Sequence, residues 1–214
     1  MIPWLGSDPD DTDFPPTRSA LAEPNQPILW WTPNPRAVLF PRELKISRSL
    51  RKSIRNAGYL VSFDQDFSSV VERCAAPRRD AGTWITSQMA RAYQRMHELG
   101  HAHSVEVWRD DGLVGGLYGM AIGRVFFGES MFSLGRDASK VALAHLVARL
   151  VETGFELIDC QLPTSHLASL GARLIRREEF EALLDRLCEQ APNSLPWPQG
   201  PEPPCLPPRQ TAGA

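Results

Sequence analysis

The sequence predicts an α+β protein: a mixed, largely antiparallel sheet covered by helices, in one principal domain, with helix and strand following one another along the chain. Three observations carry the prediction. Short or alternating apolar runs, the pattern of strands, interleave with segments whose apolar residues recur every three to four positions, the pattern of helices. A two-strand ribbon lies near the centre, marked by an Asp111-Gly112 turn between His103–Arg109 and Leu113–Ile122. The prolines are segregated: of 19, nine lie within residues 1–41 and eight within 192–208, leaving only Pro77 and Pro163 between. Proline breaks helix interiors and central strands, so the regular structure belongs between Arg42 and Ala191.

The elements follow in order. Residues 1–27 are rich in proline and acid (Asp8, Asp10, Asp11, Asp13 and Glu23 against Arg18) and read as an arm. Ile28–Trp31 and Ala37–Phe40 are apolar runs bounded by prolines and Arg36, short enough to be buried strands. Ser47 or Ser49 caps a helix that runs through Asn56 and stops at Gly58. Tyr59–Phe63 is a strand. Asp66 caps a helix with Phe67, Val70, Val71 and Cys74 on its apolar face, ended by Pro77. Thr86 starts another, with Met89, Ala92, Tyr93, Met96 and Leu99 as its stripe and Gly100 as its end. After the ribbon come a strand at Val125–Phe127, a helix at Ala138–Glu152, a strand at Phe155–Leu162 and a helix at Glu178–Gln190.

Composition narrows the classes of function. A net charge of −2 and a pI near 6.2 exclude a global basic excess for nucleic acid. The charge is unevenly placed, however: from Arg36 to Arg55 there are seven bases against one acid, Glu43. At helical spacing Arg48, Arg51, Lys52 and Arg55 share one face, either a solvated face or a local phosphate site. The four cysteines are scattered without a C-x-x-C pair, which reads as free thiols in a reducing compartment. The N-terminus lacks the basic and apolar regions of a signal peptide, and no apolar run approaches the ~20 residues of a membrane span. A soluble, cytoplasmic protein is expected.

Four constellations could carry chemistry. His97-Glu98-Leu99-Gly100-His101 matches a zinc-protease motif, but Gly100 ends the helix before His101 and no third ligand follows, so no metal is expected. Gly112, Gly115, Gly116, Gly119 and Gly123 lie within strands, as bulges or as a surface for a flat ligand or acyl chain. Glu129 leaves an apolar strand, either as a turn residue or as a site acid. Asp159 and Gln161 sit within a strand at i and i+2, so they share a face, while Ile158 and Cys160 face the other way. A mid-strand carboxylate among apolar neighbours is costly unless paired or used. Together, Glu129, Asp159 and Gln161 read as a place that binds or deprotonates an amine.

These segments resemble the bacterial leucyl/phenylalanyl-tRNA–protein transferases. The resemblance rests on Pro27–Trp31, Pro35–Leu39, Ile46–Leu50, Gly82–Ile85, Gly100–Trp108, Gly128–Phe132, Ala138–Lys140 and Leu157–Gln161, and runs almost unbroken from Pro27 to Phe180. It implies a catalytic domain similar to the acyl-CoA N-acyltransferase fold at residues 36–191. A truncated N-terminal subdomain or arm (1–35) precedes it and a Pro-rich C-terminal tail (192–214) follows. It also implies a monomeric enzyme without cofactor that moves Leu, Phe or, less readily, Met from aminoacyl-tRNA to proteins beginning with Lys or Arg, marking them for N-degron proteolysis.

By the same resemblance Asp159 and Gln161 are the catalytic pair, Asp159 orienting and polarising Gln161 or chiefly positioning the substrates, and Glu129 holds the acceptor's N-terminal end. Leu117, Phe126, Met131, Leu143, Leu150 and Ile158 line the aminoacyl pocket, which requires a twisted or splayed strand at Ile158. Trp84 stacks on the terminal adenine, and Arg48, Arg51, Lys52 and Arg55 meet acceptor-stem phosphates. Asp159→Asn is expected to abolish transfer without unfolding the chain. One departure stands out. Between Asn25 and Pro27 this chain lacks the Gly-Gly-Asp-Leu-Ser-Pro segment, helix and Phe-Pro-Trp that the family carries, and reduced activity is expected. The competing readings are an acyl-CoA-dependent N-acyltransferase and a tRNA-binding remnant.

Overall fold

The computed structural model describes residues 2–4, 29–76, 85–192, 197 and 200–207. The strands are β1 (Ile2–Trp4), β2 (Leu29–Trp31), β3 (Arg36–Leu39), β4 (Leu60–Phe63), β5 (Ala102–Arg109), β6 (Gly112–Ile122), β7 (Val125–Ser133), β8 (Leu157–Gln161) and β9 (Arg173–Ile175). The helices are α1 (Arg48–Asn56), α2 (Phe67–Ala75), α3 (Ser87–Glu98), α4 (Ala138–Glu152), α5 (Ser165–Ser169) and α6 (Arg177–Leu187). Strands β1 and β2 pair antiparallel on their own, with Pro3 opposite Trp30, so part of the expected N-terminal arm is a ribbon. The other seven form one sheet in the order β4-β5-β6-β7-β8-β3-β9, in which only β7 and β8 are parallel. The predicted α+β class, with a mixed and mostly antiparallel sheet, is therefore what the chain adopts.

Local chemistry sets the element ends. The Ser47 hydroxyl accepts the Leu50 N–H at 3.1 Å, Asp66 accepts that of Ser69 at 3.1 Å, and Thr86 accepts that of Met89 at 3.2 Å, each satisfying a donor that a helix start leaves open. The ribbon turn is one residue earlier than predicted. Arg109 pairs with Gly112, and the two loop residues are Asp110 and Asp111, both at positive φ as a type I′ hairpin demands. Helix α3 ends at Glu98, so His97 and His101 are not on one continuing helix; His97 Nδ1 lies 2.8 Å from the Ala102 carbonyl.

Helices α4 and α1 cover one sheet face, burying Leu50, Ile54, Val141, Leu146 and Leu150 against Val61, Val105, Val107 and Leu117. Helix α2, with α3 beside it, covers the other through Phe67, Val70, Val71 and Tyr93 against Tyr118 and Phe132. Ala92 and Leu99, expected on the buried stripe of α3, are exposed. Helix α6 packs Phe180 and Leu187 against Val38, Val125 and Leu157. The described part of the Pro-rich C-terminal segment lies on the edge strand: Val61 and Glu202 exchange two backbone hydrogen bonds of 2.8 Å. Glu202 Oε1 lies 3.0 Å from His145 Nε2, and Trp197 stacks on His103. Among the described residues, no helix is long and apolar enough to cross a membrane.

Candidate active site

The site opens where two neighbouring strands stop pairing. The parallel ladder of β7 and β8 runs Val125↔Leu157, Phe126↔Ile158, Phe127↔Asp159 and ends there, although both strands continue. Just beyond, each strand bulges. Against β6 the register of β7 passes from Gly119↔Gly128 to Tyr118↔Ser130, which leaves Glu129 as the extra residue. Against β3 the register of β8 passes from Val38↔Asp159 to Ala37↔Gln161, which leaves Cys160 as the extra residue. A bulge bends its strand and re-aims its side chains. Here the two together open a cavity of about 460 Å³.

Leu117, Phe126, Met131, Leu143 and Ile158, expected in the aminoacyl pocket, line this cavity. Leu150 does not. It is fully buried in the main core, two helical turns beyond Leu143 and about 10 Å further along α4, while Leu146, which sequence reasoning missed, is on the wall. Glu129 is inside β7 rather than at its end, and it lines the cavity with Asp159 and Gln161. Cys160, expected to face away, also reaches the wall, as do Thr164 and His166, which no sequence reading marked. Trp84 lies outside the described residues. Strict alternation fails at this strand end, since Ile158, Asp159, Cys160 and Gln161 all line the cavity. The distortion required at Ile158 is the bulge at Cys160 together with the turn that follows it.

That turn is unusual. Gln161 has φ 63°, and the Leu162 N–H donates to the Cys160 carbonyl at 2.7 Å, closing a γ-turn with a non-glycine residue at positive φ. Such a conformation costs of order 1–3 kcal/mol and persists only where its surroundings hold it. Asp159 does so: its Oδ1 accepts the Gln161 N–H at 2.9 Å. The same carboxylate takes both prongs of Arg36, Nε on Oδ1 at 2.9 Å and Nη2 on Oδ2 at 2.6 Å, with side chains 1% and 0% exposed. The partner that a mid-strand acid requires is therefore Arg36, 123 residues away. This corrects the expectation for Asp159→Asn, which leaves a buried guanidinium unpaired and is a stability lesion as well.

Burial raises the Glu129 carboxyl above its ordinary range and the Asp159 charge adds to this, while hydrogen bonding from Tyr93 and Gln161 opposes it. Burial and the charge of Asp159 push the Cys160 thiol up to about 12, so it is inert as a nucleophile. The glycines of β6 are explained by close approach. A Cβ on Gly119 would lie 2.2 Å from the Phe127 carbonyl, and one on Gly115 2.5 Å from the Ala138 Cβ. The basic face is real: on α1 Arg48, Lys52 and Arg55 are exposed and Arg51 half-buried, and none has an ion-pair partner among the described residues. Helix α1 packs on α4, which lines the cavity, so the face and the cavity share a support.

The cavity thus lies at the end of a splayed parallel pair, rimmed by a carboxylate and an amide and supported by a helix beside a basic face. The sequence profile described as leucyl/phenylalanyl-tRNA protein transferase matches residues 38–185. Proteins named leucyl/phenylalanyl-tRNA–protein transferase from Nitrosospira multiformis and Pseudomonas syringae pv. syringae are each 51% identical over 227 aligned positions; both alignments cover 92% of this chain, and 97% and 98% of those relatives. One from Azotobacter vinelandii is 53% identical over 82% of this chain and 91% of its own length. This chain belongs to the leucyl/phenylalanyl-tRNA–protein transferase family, a family of aminoacyltransferases. The 227 aligned positions exceed its 214 residues, so those relatives carry residues without a counterpart here. A solved structure of a functionally unknown conserved protein from Staphylococcus epidermidis aligns over 62% of this chain and 65% of its own, at 10% identity and a TM-score of 0.33, too low to bear on the fold.

Proposed function

We propose that this chain moves leucine, phenylalanine and, less readily, methionine from aminoacyl-tRNA to the α-amine of proteins that begin with Lys or Arg, marking them for N-degron proteolysis. The observation that supports this best is the apolar cavity whose rim brings Glu129 and Gln161 together, beside the buried Arg36–Asp159 pair. The donor is an activated ester, so the reaction needs no metal, nucleotide or other cofactor. The acceptor's ammonium loses a proton, its nitrogen attacks the ester carbonyl, the C–N bond forms, and the ribose oxygen leaves with a proton. The apolar wall of Leu117, Phe126, Met131, Leu143 and Ile158 takes the donor's unbranched-at-Cβ side chain and fits β-branched ones poorly. Glu129 holds the acceptor's N-terminal end, and Gln161 orients the incoming amine.

Asp159, with both oxygens engaged, positions Gln161 rather than relaying a proton. Arg48, Arg51, Lys52 and Arg55 take phosphates of the tRNA acceptor stem, and Trp84 stacks on its terminal adenine. The protein works in the cytoplasm as a monomer. A second reading, a tRNA-binding remnant without transfer, is favoured by the residues that the relatives have and this chain lacks. One experiment separates the readings: incubation with leucyl-tRNA, acetyl-CoA and an Arg-starting peptide, then product mass. A leucine increment is expected. An acetyl increment, or no increment with salt-dependent tRNA binding retained, overturns the proposal.

A further inference from the structure

Gln161 stands in a backbone conformation that its strand does not favour. Its positive φ and the Leu162–Cys160 hydrogen bond close a γ-turn just past the bulge of β8. The other bond that holds the turn runs from the Gln161 N–H to Asp159 Oδ1 at 2.9 Å. That bond depends on the plane of the Asp159 carboxylate, which a side chain with two free torsions does not fix by itself. Arg36 fixes it. Nε and Nη2 of one rigid guanidinium meet the two carboxylate oxygens, and a planar fork of this kind sets orientation as well as charge.

Arg36 is itself immobilised. Its guanidinium lies 4.7 Å from the centre of the Phe180 ring on α6, and its Nη1 donates to Thr32 Oγ1 at 3.2 Å. The Thr32 carbonyl accepts from Arg177 Nη2, also on α6, at 2.8 Å. A continuous line of contacts thus joins α6 to the turn at the cavity rim. Arg36 is almost wholly buried and is not part of the cavity wall, so a direct contact with either substrate is closed to it.

We infer that Arg36 is a positioning residue for aminoacyl transfer: its two-pronged grip on Asp159 holds the γ-turn that presents the Gln161 amide to Glu129 and the acceptor amine. This rests on the role proposed above for Gln161. A lysine in its place supplies the charge but not the fork, so charge neutralisation and orientation can be told apart.

The test compares wild type, Arg36→Lys and Arg36→Met for leucine transfer, acceptor-peptide KM, the backbone amide resonance of Gln161 and thermal unfolding. Arg36→Lys is expected to stay folded, to lose about 10- to 100-fold in kcat with KM changed by no more than about twofold, and to shift the Gln161 amide resonance. Arg36→Met should do at least as much. A folded Arg36→Lys protein with wild-type kcat overturns the inference, and so does a loss of kcat with the Gln161 resonance unmoved. Should the variants fail to fold, hydrogen exchange in the wild type decides: protection of the Gln161 amide sustains the inference, and exchange as fast as an open loop overturns it. A wild-type chain that transfers no leucine overturns the proposed function instead, and the amide shift in Arg36→Lys still decides the role of Arg36 in holding the turn.

Discussion

Gly119→Ala tests whether the glycines of β6 serve packing or a ligand. The added methyl would lie 2.2 Å from the Phe127 carbonyl oxygen, and 2.5 and 2.8 Å from Cε1 and Cζ of the Phe126 ring. The carbonyl belongs to the paired strand β7, so it cannot swing aside as a flexible side chain could. The ring is 1% exposed within the main core, so it can yield only toward the cavity that it lines. Overpacking of this kind costs about 1–3 kcal/mol, and a rigid partner puts this site at the upper end. For a chain of this size about 3 kcal/mol lowers Tm by roughly 6–12 °C.

The displaced ring also narrows the cavity, so phenylalanine transfer should suffer more than leucine transfer. Gly100→Ala is the control. Gly100 has φ 78° but nothing within 4 Å of a built Cβ, so only the left-handed backbone penalty of about 1–2 kcal/mol applies. The assay is thermal unfolding together with transfer from leucyl- and phenylalanyl-tRNA. If Gly119→Ala melts with the wild type and keeps its leucine-to-phenylalanine ratio, the close-approach account is wrong. If it keeps Tm but loses donor binding, the open-surface account of the glycines is right.

Four further outcomes are expected. Asp159→Asn should lose transfer and also about 3–5 kcal/mol of stability by urea titration, because Arg36 remains buried without its counter-charge. Burial lowers the affinity of His145 for a proton in the folded state against the opposing pull of Glu202. Its contribution to stability is therefore complete above its ordinary range and is lost as pH falls below it; the loss between pH 8 and 5.5 should be smaller in His145→Phe. Replacing Arg51, Lys52 and Arg55 by Ala should weaken tRNA binding and make the log–log salt slope shallower by about 0.9 for each phosphate no longer neutralised, as measured by filter binding across a salt series. Leucine transfer by this chain should be slower than by the Nitrosospira multiformis relative assayed beside it, and an equal rate would show that the missing residues are dispensable.

What the sequence makes legible here is what local chemistry decides. Ser47, Asp66 and Thr86 announce helix starts because a short polar side chain before an apolar periodicity has a backbone donor to satisfy. Asp111-Gly112 between alternating runs announces the ribbon, although the turn itself falls one residue earlier. The demand that Asp159 be paired was legible too, since an isolated carboxylate in an apolar strand is costly. The identity of its partner was not, because Arg36 reaches it only through the placement of β3 beside β8, a long-range pairing that no local pattern encodes. The docking of Glu202 on Val61 escaped for a related reason. A proline-rich segment can supply an isolated edge bridge without any strand periodicity, and here His145 seats Glu202 while Phe63 and His103 seat Trp197.

The two bulges are where pattern reading and function part company. Period-2 alternation assigns Ile158 and Cys160 to one face and Asp159 and Gln161 to the other, which would divide an apolar pocket from its polar rim. The fold needs both on one side. It obtains this by inserting one residue into each of two neighbouring strands just where their parallel ladder ends, Glu129 on β7 and Cys160 on β8. Each insertion sacrifices regular pairing, and at Gln161 it also imposes an unfavourable φ. Beside those local costs stands a fully buried ion pair that adds little net stability, since an apolar pair of equal volume is often as stable. Strain at the rim and a buried pair behind it are therefore one feature, and under the proposed function it marks the residues that must hold still while an ester and an amine meet.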